Sequence, residues 1–291
     1  MSAWGVAEAT AFLAGRGFGP GPFAIDRLAG GLWNDVLRVT STAGTFILKH
    51  YVKVLPGTLF PNLPEAEAMA LQRLTGLDVA PAFVGFWPEK AVLIYEFVPG
   101  DLWQDDVVAV ARLLARKEAA DPGGFRWLAT LPEAILAEAD TLFNRCTASD
   151  LVRAWRDRRP EPLAIARPGR LSLVHTDIGA GNLVGAGTSL RLIDWQCPGA
   201  GDLSEDVYCF LSAAFQVLNH RPPLAPDQKH RFFEALALPD IVQRYARLQP
   251  CFAYRMAAYC CLRLQTAPEA EIRQRYLTAI LAEFSEFGSQ R

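Results

Sequence analysis

Short runs of alternating apolar and polar residues, which are typical of β-strands, dominate the first hundred residues. Five such runs, rich in β-branched and aromatic side chains, lie at 23–28, 35–40, 45–51, 81–87 and 91–97. Ala43-Gly44 provides a tight turn between the second and third runs. Before the fourth run, Pro64 begins a helical spacing of apolar residues that Gly76 ends. After a short N-terminal helix, this part is therefore predicted to be an antiparallel sheet with one inserted helix.

Beyond Gly100 the apolar residues recur at helical spacing. The predicted helices lie at 104–119, 132–157, 203–219, 227–237, 250–265 and 268–287. Only two strand-like runs interrupt them, at 171–174 and 190–193. The change of pattern places a lobe boundary near Pro99-Gly100. The chain is therefore predicted to be α+β, with an N-terminal lobe at 1–100 and a mostly helical C-terminal lobe at 101–291.

Net charge and cysteine spacing indicate which partners and which cellular compartment to expect. A formal net charge of −2 gives no general attraction to nucleic acid or to anionic membranes, so neither is expected as a partner. The six cysteines match no disulfide scaffold and no zinc-site spacing. The N-terminus lacks the basic segment of a secretion signal, and no run of 18 uncharged apolar residues is present. We therefore expect a reduced, cytoplasmic protein.

Polar side chains interrupt an apolar run at LVHTDIGAGNLV, residues 173–184. Asp177 and Asn182 stand five residues apart in this loop, and Asp194 follows the next strand-like run. A polar loop between buried strands is costly unless its groups are engaged, so these side chains are expected to line a cleft. Phosphoryl transfer needs such a set, with one carboxylate for the attacking hydroxyl and an amide and a second carboxylate for Mg²⁺.

Each member of this set also has an ordinary structural interpretation. His175 is expected to be a satisfied core histidine that braces the loop rather than a reacting group. Asp194 alone could be a turn residue or a helix cap. His175 and Asp177 could instead be two ligands of a metal-dependent hydrolase, although no other histidine stands at a recognisable spacing from them. The three-part pattern of Asp177, Asn182 and Asp194 favours phosphate chemistry.

The N-terminal lobe contains residues that could clamp phosphates. Gly30-Gly31 lies in the turn between the first two strands, where a backbone without Cβ atoms can approach phosphate oxygens. Lys49 ends the third strand, from which a lysine can reach the α- and β-phosphates. An acidic residue of the following helix, Glu65 or Glu67, could hold this lysine by a charge-assisted hydrogen bond. Without the pattern in the C-terminal part, the preferred interpretation would be an exposed lysine and two solvated glutamates.

These motifs, in this order, resemble the aminoglycoside phosphotransferase and choline kinase-like family of small-molecule kinases, which have a two-lobed protein-kinase-like fold. The resemblance covers about residues 25–210. LAGGLWNDVLRV resembles the family's nucleotide loop, FILK its lysine strand, LIYEFVPG its hinge, HTDIGAGN its catalytic loop and IDW its metal loop.

The resemblance implies ATP and Mg²⁺ as cofactors and a hydroxyl-bearing small molecule as acceptor. Asp177 is implied as the catalytic base, and Asn182 and Asp194 as metal ligands. His175 and Asp206, the latter in GDLSEDV, are implied as structural supports. The implied ATP-binding residues are Gly30, Gly31, Asn34, Lys49, Glu67 (in preference to Glu65), and the backbone of Glu96 and Val98.

Two positions depart from the family pattern. Trp33 stands where a small or hydroxylated residue is usual, and Thr176 replaces the usual glycine before the catalytic aspartate. Neither change removes a reacting group, so an active kinase is expected. The acceptor should approach from the helical part after residue 195. The candidate contacts there are Trp195, Tyr208, Phe215, Tyr254, Arg255, Tyr259 and Arg263.

Three functions stay open at this point. The first is an ATP-dependent kinase that phosphorylates a small molecule of the aminoglycoside, amino-alcohol or sugar type. The second is a catalytically silent nucleotide-binding module, and the third, weaker, is a metal-dependent hydrolase.

Overall fold

A five-stranded antiparallel sheet forms the N-terminal part of the chain. The computed structural model describes residues 4–19, 21–28, 33–55 and 58–289. After helix α1 (Val6–Leu13), the strands are β1 (Ala24–Arg27), β2 (Asn34–Ser41), β3 (Gly44–Tyr51), β4 (Phe83–Trp87) and β5 (Val92–Glu96), with helix α2 (Pro64–Arg73) between β3 and β4. The strand order is β1-β2-β3-β5-β4, and every neighbouring pair is antiparallel. The predicted strands and helix are all present.

The alternation of side chains along the strands divides the sheet into two faces. On one face, Leu37, Leu48 and Ile94 pack with Phe12 and Leu13 of α1 in an apolar cluster. The opposite face carries Ile47, Tyr51, Leu93 and Tyr95, which belong to the main core together with apolar residues of α2. Lys49 lies on this second face, since it alternates with Leu48, and therefore points toward α2.

The C-terminal part is mostly helical. Its helices are α3 (Val107–Lys117), α4 (Pro132–Asn144), α5 (Asp150–Arg156), α6 (Leu203–Leu211), α7 (Ala213–Leu218), α8 (Pro226–Leu236), α9 (Pro239–Thr266) and α10 (Ala270–Ser289). Helix α9 packs against α4, α6 and α10, and its residues from Leu248 to Leu262 are almost all buried. None of the helices in the described ranges is long and apolar enough to cross a membrane.

Three predicted helices differ from those observed. The helix predicted at 132–157 is two helices, because Ser149 caps a new one by accepting a hydrogen bond from the N–H of Val152 at 3.3 Å. The helix predicted at 203–219 is divided at Ser212, which takes an extended backbone conformation and caps α7. Helix α9 starts eleven residues before the predicted 250 and continues through Pro250.

Two pairs of short strands hold the loops of the C-terminal part. Strand β6 (Ser172–Val174) pairs with β9 (Gly199–Gly201), and β7 (Leu183–Val184) pairs with β8 (Arg191–Leu192). Strands β7 and β9 were not predicted, because runs of two or three residues carry too little periodicity to be recognised. The polar loop 175–182 connects β6 to β7 and is therefore fixed at both ends.

Candidate active site

Both ring nitrogens of His175 bind backbone groups at the start of the polar loop. Its Nε2 lies 3.0 Å from the carbonyl oxygen of Ile193, and its Nδ1 lies 3.2 Å from the N–H of Asp177. These partners fit a neutral imidazole that donates from Nε2 and accepts at Nδ1. Burial lowers the pKa of His175 to about 4. The ring thus links loop 175–182 to the segment that carries Asp194.

Asp206 of α6 holds the same loop from the other side. Its carboxylate accepts hydrogen bonds from the backbone N–H groups of His175, at 3.0 Å, and Thr176, at 2.9 Å. The Nζ of Lys117, at the end of α3, lies 2.8 Å from Asp206 and also donates to the carbonyl oxygen of Leu173. Lys117 was missed by sequence reasoning, because a lysine in the last turn of an amphipathic helix is usually solvated. In the structure it is fully buried.

Thr176 has a backbone φ of 71°, in the left-handed region. A β-branched residue is strained there, at a cost of about 1–3 kcal/mol. The Thr176 hydroxyl donates to the carbonyl oxygen of Cys197 at 2.9 Å, which a glycine at this position could not do. Thr176, which departs from the family pattern, thus adds a buried hydrogen bond between the loop and the segment just before β9.

Gly179 lies directly against the side chain of Asn219. A Cβ atom at position 179 would lie 2.1 Å from the Nδ2 of Asn219. The same Asn219 side chain accepts a hydrogen bond from the N–H of Gly181 at 3.0 Å and donates to Phe215 at 2.9 Å. Asn219, at the end of α7, therefore shapes the glycine-containing turn, and no sequence pattern pointed to it.

Asp177 and Asn182 lie side by side. The Nδ2 of Asn182 donates to the backbone carbonyl of Asp177 at 2.9 Å and lies 3.4 Å from its carboxylate. Burial and the neighbouring charge of Asp194 raise the pKa of Asp177 to about 7. A carboxylate with this environment can accept a proton near neutral pH.

Lys49 joins the N-terminal sheet to Asp194. Its Nζ lies 2.6 Å from the Oε2 of Glu67, and it also donates to the Oδ1 of Asp194. Burial alone would lower the pKa of Lys49, but the charges of Asp194 and Glu67 outweigh it and raise the pKa above the ordinary value. The hydroxyl of Tyr51 donates to the same Glu67 oxygen. Glu67 is 1% exposed, whereas Glu65 is exposed, so the structure selects Glu67 as the lysine's partner.

Asp194 follows β8 with a backbone φ of 62°, again in the left-handed region. This conformation ends the strand abruptly and turns the chain into Trp195. The Asp194 side chain is 34% exposed, so it combines a buried partner, Lys49, with access to solvent. A strained backbone at a polar residue between two buried segments is typical of functional sites.

Three of the remaining predicted ATP-binding residues, Asn34, Glu96 and Val98, lie within the described residues. Asn34, at the start of β2, donates to the side chains of Asn62 and Gln196, each at 3.1 Å. The N–H of Glu96 donates to the carbonyl oxygen of Ala82 at 2.9 Å and is therefore not available to an adenine, and Val98 follows in the segment that leaves the sheet. The predicted glycines Gly30 and Gly31 lie outside the described residues.

The model of the phosphotransferase enzyme family matches residues 24–250. The chain belongs to this family. A thiamine kinase of Escherichia coli O17:K52:H18 (strain UMN026) is 31% identical over 175 residues, which are 56% of this chain and 60% of that protein. The chain thus spans about 60% of the length of the curated relatives it matches.

Solved structures of the same fold confirm the two-lobed, protein-kinase-like architecture. A choline/ethanolamine kinase family protein from Mesorhizobium loti matches with a TM-score of 0.67 at 18% identity, covering 97% of this chain and 96% of that one. The choline kinase of Streptococcus pneumoniae matches with a TM-score of 0.65 at 15% identity, covering 96% and 98%. The predicted family and fold class are therefore confirmed, whereas the boundary at residue 100 stays a prediction.

Asn182 and Asp194 carry side-chain oxygens of the kind that bind Mg²⁺. Because the Nδ2 of Asn182 is occupied by Asp177, its amide oxygen is the atom left for a cation. Within the described ranges, no group of three or more His, Cys, Asp or Glu side chains is arranged to hold a metal ion. Asn182 and Asp194 would therefore need the nucleotide phosphates as further ligands, which is how Mg²⁺ is usually held.

The aromatic and arginine candidates for acceptor contacts divide into two groups. Tyr208, Phe215 and Arg255 line a hollow beside Thr176, and Tyr259 packs against its rim. The other three candidates contact residues outside this hollow. Trp195 is fully buried and donates to the carbonyl of Leu192, Tyr254 packs on Phe143, and Arg263 lies against Tyr276. The expectation that these three residues contact the acceptor stays a prediction, although the core encloses Trp195.

Proposed function

We propose that the chain is an ATP-dependent kinase that moves the γ-phosphoryl group of ATP to a hydroxyl of a small molecule. The observation that carries this proposal is the ion-pair group of Glu67, Lys49 and Asp194 beside Asp177 and Asn182. Such a set, in a chain of the phosphotransferase family, provides a phosphate clamp, cation ligands and a base within one site. In this account the nucleotide binds between the lobes at 1–100 and 101–291.

Each residue has a separate task in the proposed reaction. Lys49 binds phosphate oxygens, and Glu67 keeps its ammonium group charged and oriented. Asp177 accepts a hydrogen bond from the acceptor hydroxyl and takes its proton as the new O–P bond forms. His175 and Asp206 hold the Asp177 loop through its backbone. Mg²⁺ bound by Asn182 and Asp194 would neutralise charge on the phosphates.

Asn34, Glu96 and Val98 are proposed to complete the nucleotide site, together with Gly30 and Gly31. The carbonyl of Glu96 would accept from the adenine amino group, and the N–H of Val98 would donate to the ring. Asn34 is held by Asn62 and Gln196, which fixes the start of β2 next to the segment after Asp194.

The relatives indicate which acceptors to test first. The curated relatives are thiamine kinases, and the structural relatives include choline and ethanolamine kinases. Thiamine, choline and ethanolamine share one feature, a primary hydroxyl near a nitrogen centre. We propose an acceptor of this kind.

Turnover with a panel of acceptors tests the proposal. ADP formation is measured with Mg·ATP and thiamine, ethanolamine, choline, an aminoglycoside and a simple sugar, for the parent and for Lys49→Met. We expect acceptor-dependent ADP formation in the parent and a loss of about 10²-fold or more in the variant. Nucleotide binding without any turnover would favour the silent module. The metal-dependent hydrolase has no support from the family match, and the described residues offer no metal cluster for it.

A further inference from the structure

Tyr51 follows Lys49 by two positions on β3, so the two side chains lie on the same face of the sheet. Tyr51 is fully buried, at 0% exposed, in the main core beneath α2. An apolar residue would fill this space equally well, whereas a buried tyrosine hydroxyl needs a hydrogen-bond partner. The partner of this hydroxyl therefore indicates what Tyr51 does.

The Tyr51 side chain contacts both members of the Lys49–Glu67 ion pair. Its hydroxyl donates to the Oε2 of Glu67, the same oxygen that lies 2.6 Å from the Nζ of Lys49. Its ring lies under the same ammonium group, with the Nζ 5.1 Å from the ring centroid. An aromatic face attracts a cation at this distance. One tyrosine thus holds the carboxylate by its hydroxyl and faces the ammonium group with its ring.

Glu67 has few other partners to hold it. Its Oε1 is buried and has no hydrogen-bond partner among the described residues. Burial raises the pKa of Glu67, and the charge of Asp194 acts in the same direction. The charge and hydrogen bond of Lys49 and the hydrogen bond of Tyr51 oppose this rise, because they favour the ionised carboxylate. Tyr51 therefore supplies one of the two hydrogen bonds that keep Glu67 charged and in place.

Lys49 lies between two carboxylates, those of Glu67 and Asp194, which differ in their proposed tasks. In the proposed reaction Lys49 binds phosphate oxygens and Asp194 binds Mg²⁺, so both ends of the Lys49–Asp194 ion pair must also serve the nucleotide. Glu67 is then the protein group that fixes the position of the ammonium. The hydrogen bond from Tyr51 to Glu67 involves no group that binds the nucleotide, so it can persist throughout.

We propose that Tyr51 is a positioning residue: its hydroxyl holds Glu67, and through Glu67 it places the Lys49 ammonium group for the phosphates of ATP. The inference rests on the proposed kinase function and adds a residue to it. Removing the hydroxyl should weaken the use of ATP. It should leave the use of the acceptor unchanged, because the acceptor is expected to approach from the helical part after residue 195.

Tyr51→Phe tests this role, because it removes the hydroxyl and keeps the ring beside Lys49. ADP formation is measured with varied Mg·ATP and with the acceptor of highest turnover in the panel; without such an acceptor, slow ATP hydrolysis gives the same constant for ATP. We expect kcat/KM for ATP to fall at least about tenfold, the scale of one hydrogen bond to a charged group. The KM for the acceptor should stay within about twofold of the parent, whereas general damage to the fold would change both.

Two further variants show whether the hydroxyl acts through Glu67. Tyr95 lies on the same face of the sheet and is 6% exposed, but within the described part of the chain no hydrogen bond joins its hydroxyl to Glu67. Tyr95→Phe is therefore the matched control, and its kcat/KM for ATP should stay within about threefold of the parent. In the Glu67→Ala background, adding Tyr51→Phe should lower kcat/KM for ATP by no more than about twofold, because the carboxylate it holds is already absent.

The outcomes separate this inference from the kinase proposal. An unchanged kcat/KM for ATP in Tyr51→Phe, an equal loss in Tyr95→Phe, or full additivity with Glu67→Ala overturns the positioning role while the kinase function stands. Thermal melting checks that each variant folds. If Tyr51→Phe does not fold, Tyr51→Met, which also lacks the hydroxyl, is measured in its place, and failure of both to fold leaves Tyr51 a purely structural residue. If the parent neither binds nor hydrolyses ATP, the proposed function itself fails.

Discussion

Lys117→Met should destabilise the protein, because it leaves the buried carboxylate of Asp206 without its cationic partner. Removing one member of a buried ion pair costs about 3–5 kcal/mol. The variant also leaves the Leu173 carbonyl without the Lys117 donor. Asp206 keeps its hydrogen bonds from the N–H groups of His175 and Thr176, which compensate part of the charge. We therefore expect the lower end of the range, a loss of about 3 kcal/mol in the free energy of unfolding.

Urea denaturation followed by circular dichroism measures this loss in the parent, in Lys117→Met, in Asp206→Asn and in the double variant. The asparagine is neutral and can still accept from the two backbone N–H groups. The double variant should therefore lose at least about 1 kcal/mol less than the sum of the two single variants. If the losses simply add, Lys117 does not act through Asp206 and the account of how the loop is held is wrong.

Two further predictions concern the same loop. Gly179→Ala should lower the free energy of unfolding by about 1–3 kcal/mol and reduce turnover, because its Cβ would displace the side chain of Asn219. Gly181→Ala should have a smaller effect, since a Cβ there would lie 3.1 Å from the Oδ1 of Asn219. Urea denaturation and ADP formation are measured for both variants. Burial lowers the pKa of His175 to about 4 from 6.5, so the unfolded state binds more protons between these values. Stability should therefore fall from pH 6.5 toward 4, by up to about 3 kcal/mol from this group. His175→Gln should show a shallower fall than the parent, and an identical pH profile would contradict the buried neutral ring.

Contacts that follow from local periodicity could be predicted from the sequence. Lys49 lies on the second face of β3 by simple alternation, and the resemblance of the α2 sequence to the family's helix indicates Glu67, not Glu65, as its partner. The order of Asp177, Asn182 and Asp194 along the chain was informative because short strands bring their loops together. These contacts depend on spacing within one or two neighbouring elements.

Contacts between distant elements could not be predicted in this way. Lys117 meets Asp206, Asn219 meets Gly179, and Phe60 meets Tyr259, each across a separation that no periodic pattern encodes. The division at Ser212 was missed for a related reason. The helix ends there because the Ser212 side chain caps α7 by accepting a hydrogen bond from the N–H of Phe215. The helical spacing of apolar residues continues across this position, so it does not reveal the division.

Asp177 and Asp194 are proposed to have different tasks, and calorimetry of ATP binding with and without Mg²⁺ distinguishes the two. Asp194→Asn should lose most of the Mg²⁺-dependent part of ATP affinity, since it removes a proposed cation ligand. Asp177→Asn should keep Mg·ATP affinity within about threefold of the parent while kcat falls by about 10²-fold or more, as for a lost general base. Equal loss of Mg·ATP binding in the two variants, or normal turnover by Asp177→Asn, would contradict this assignment.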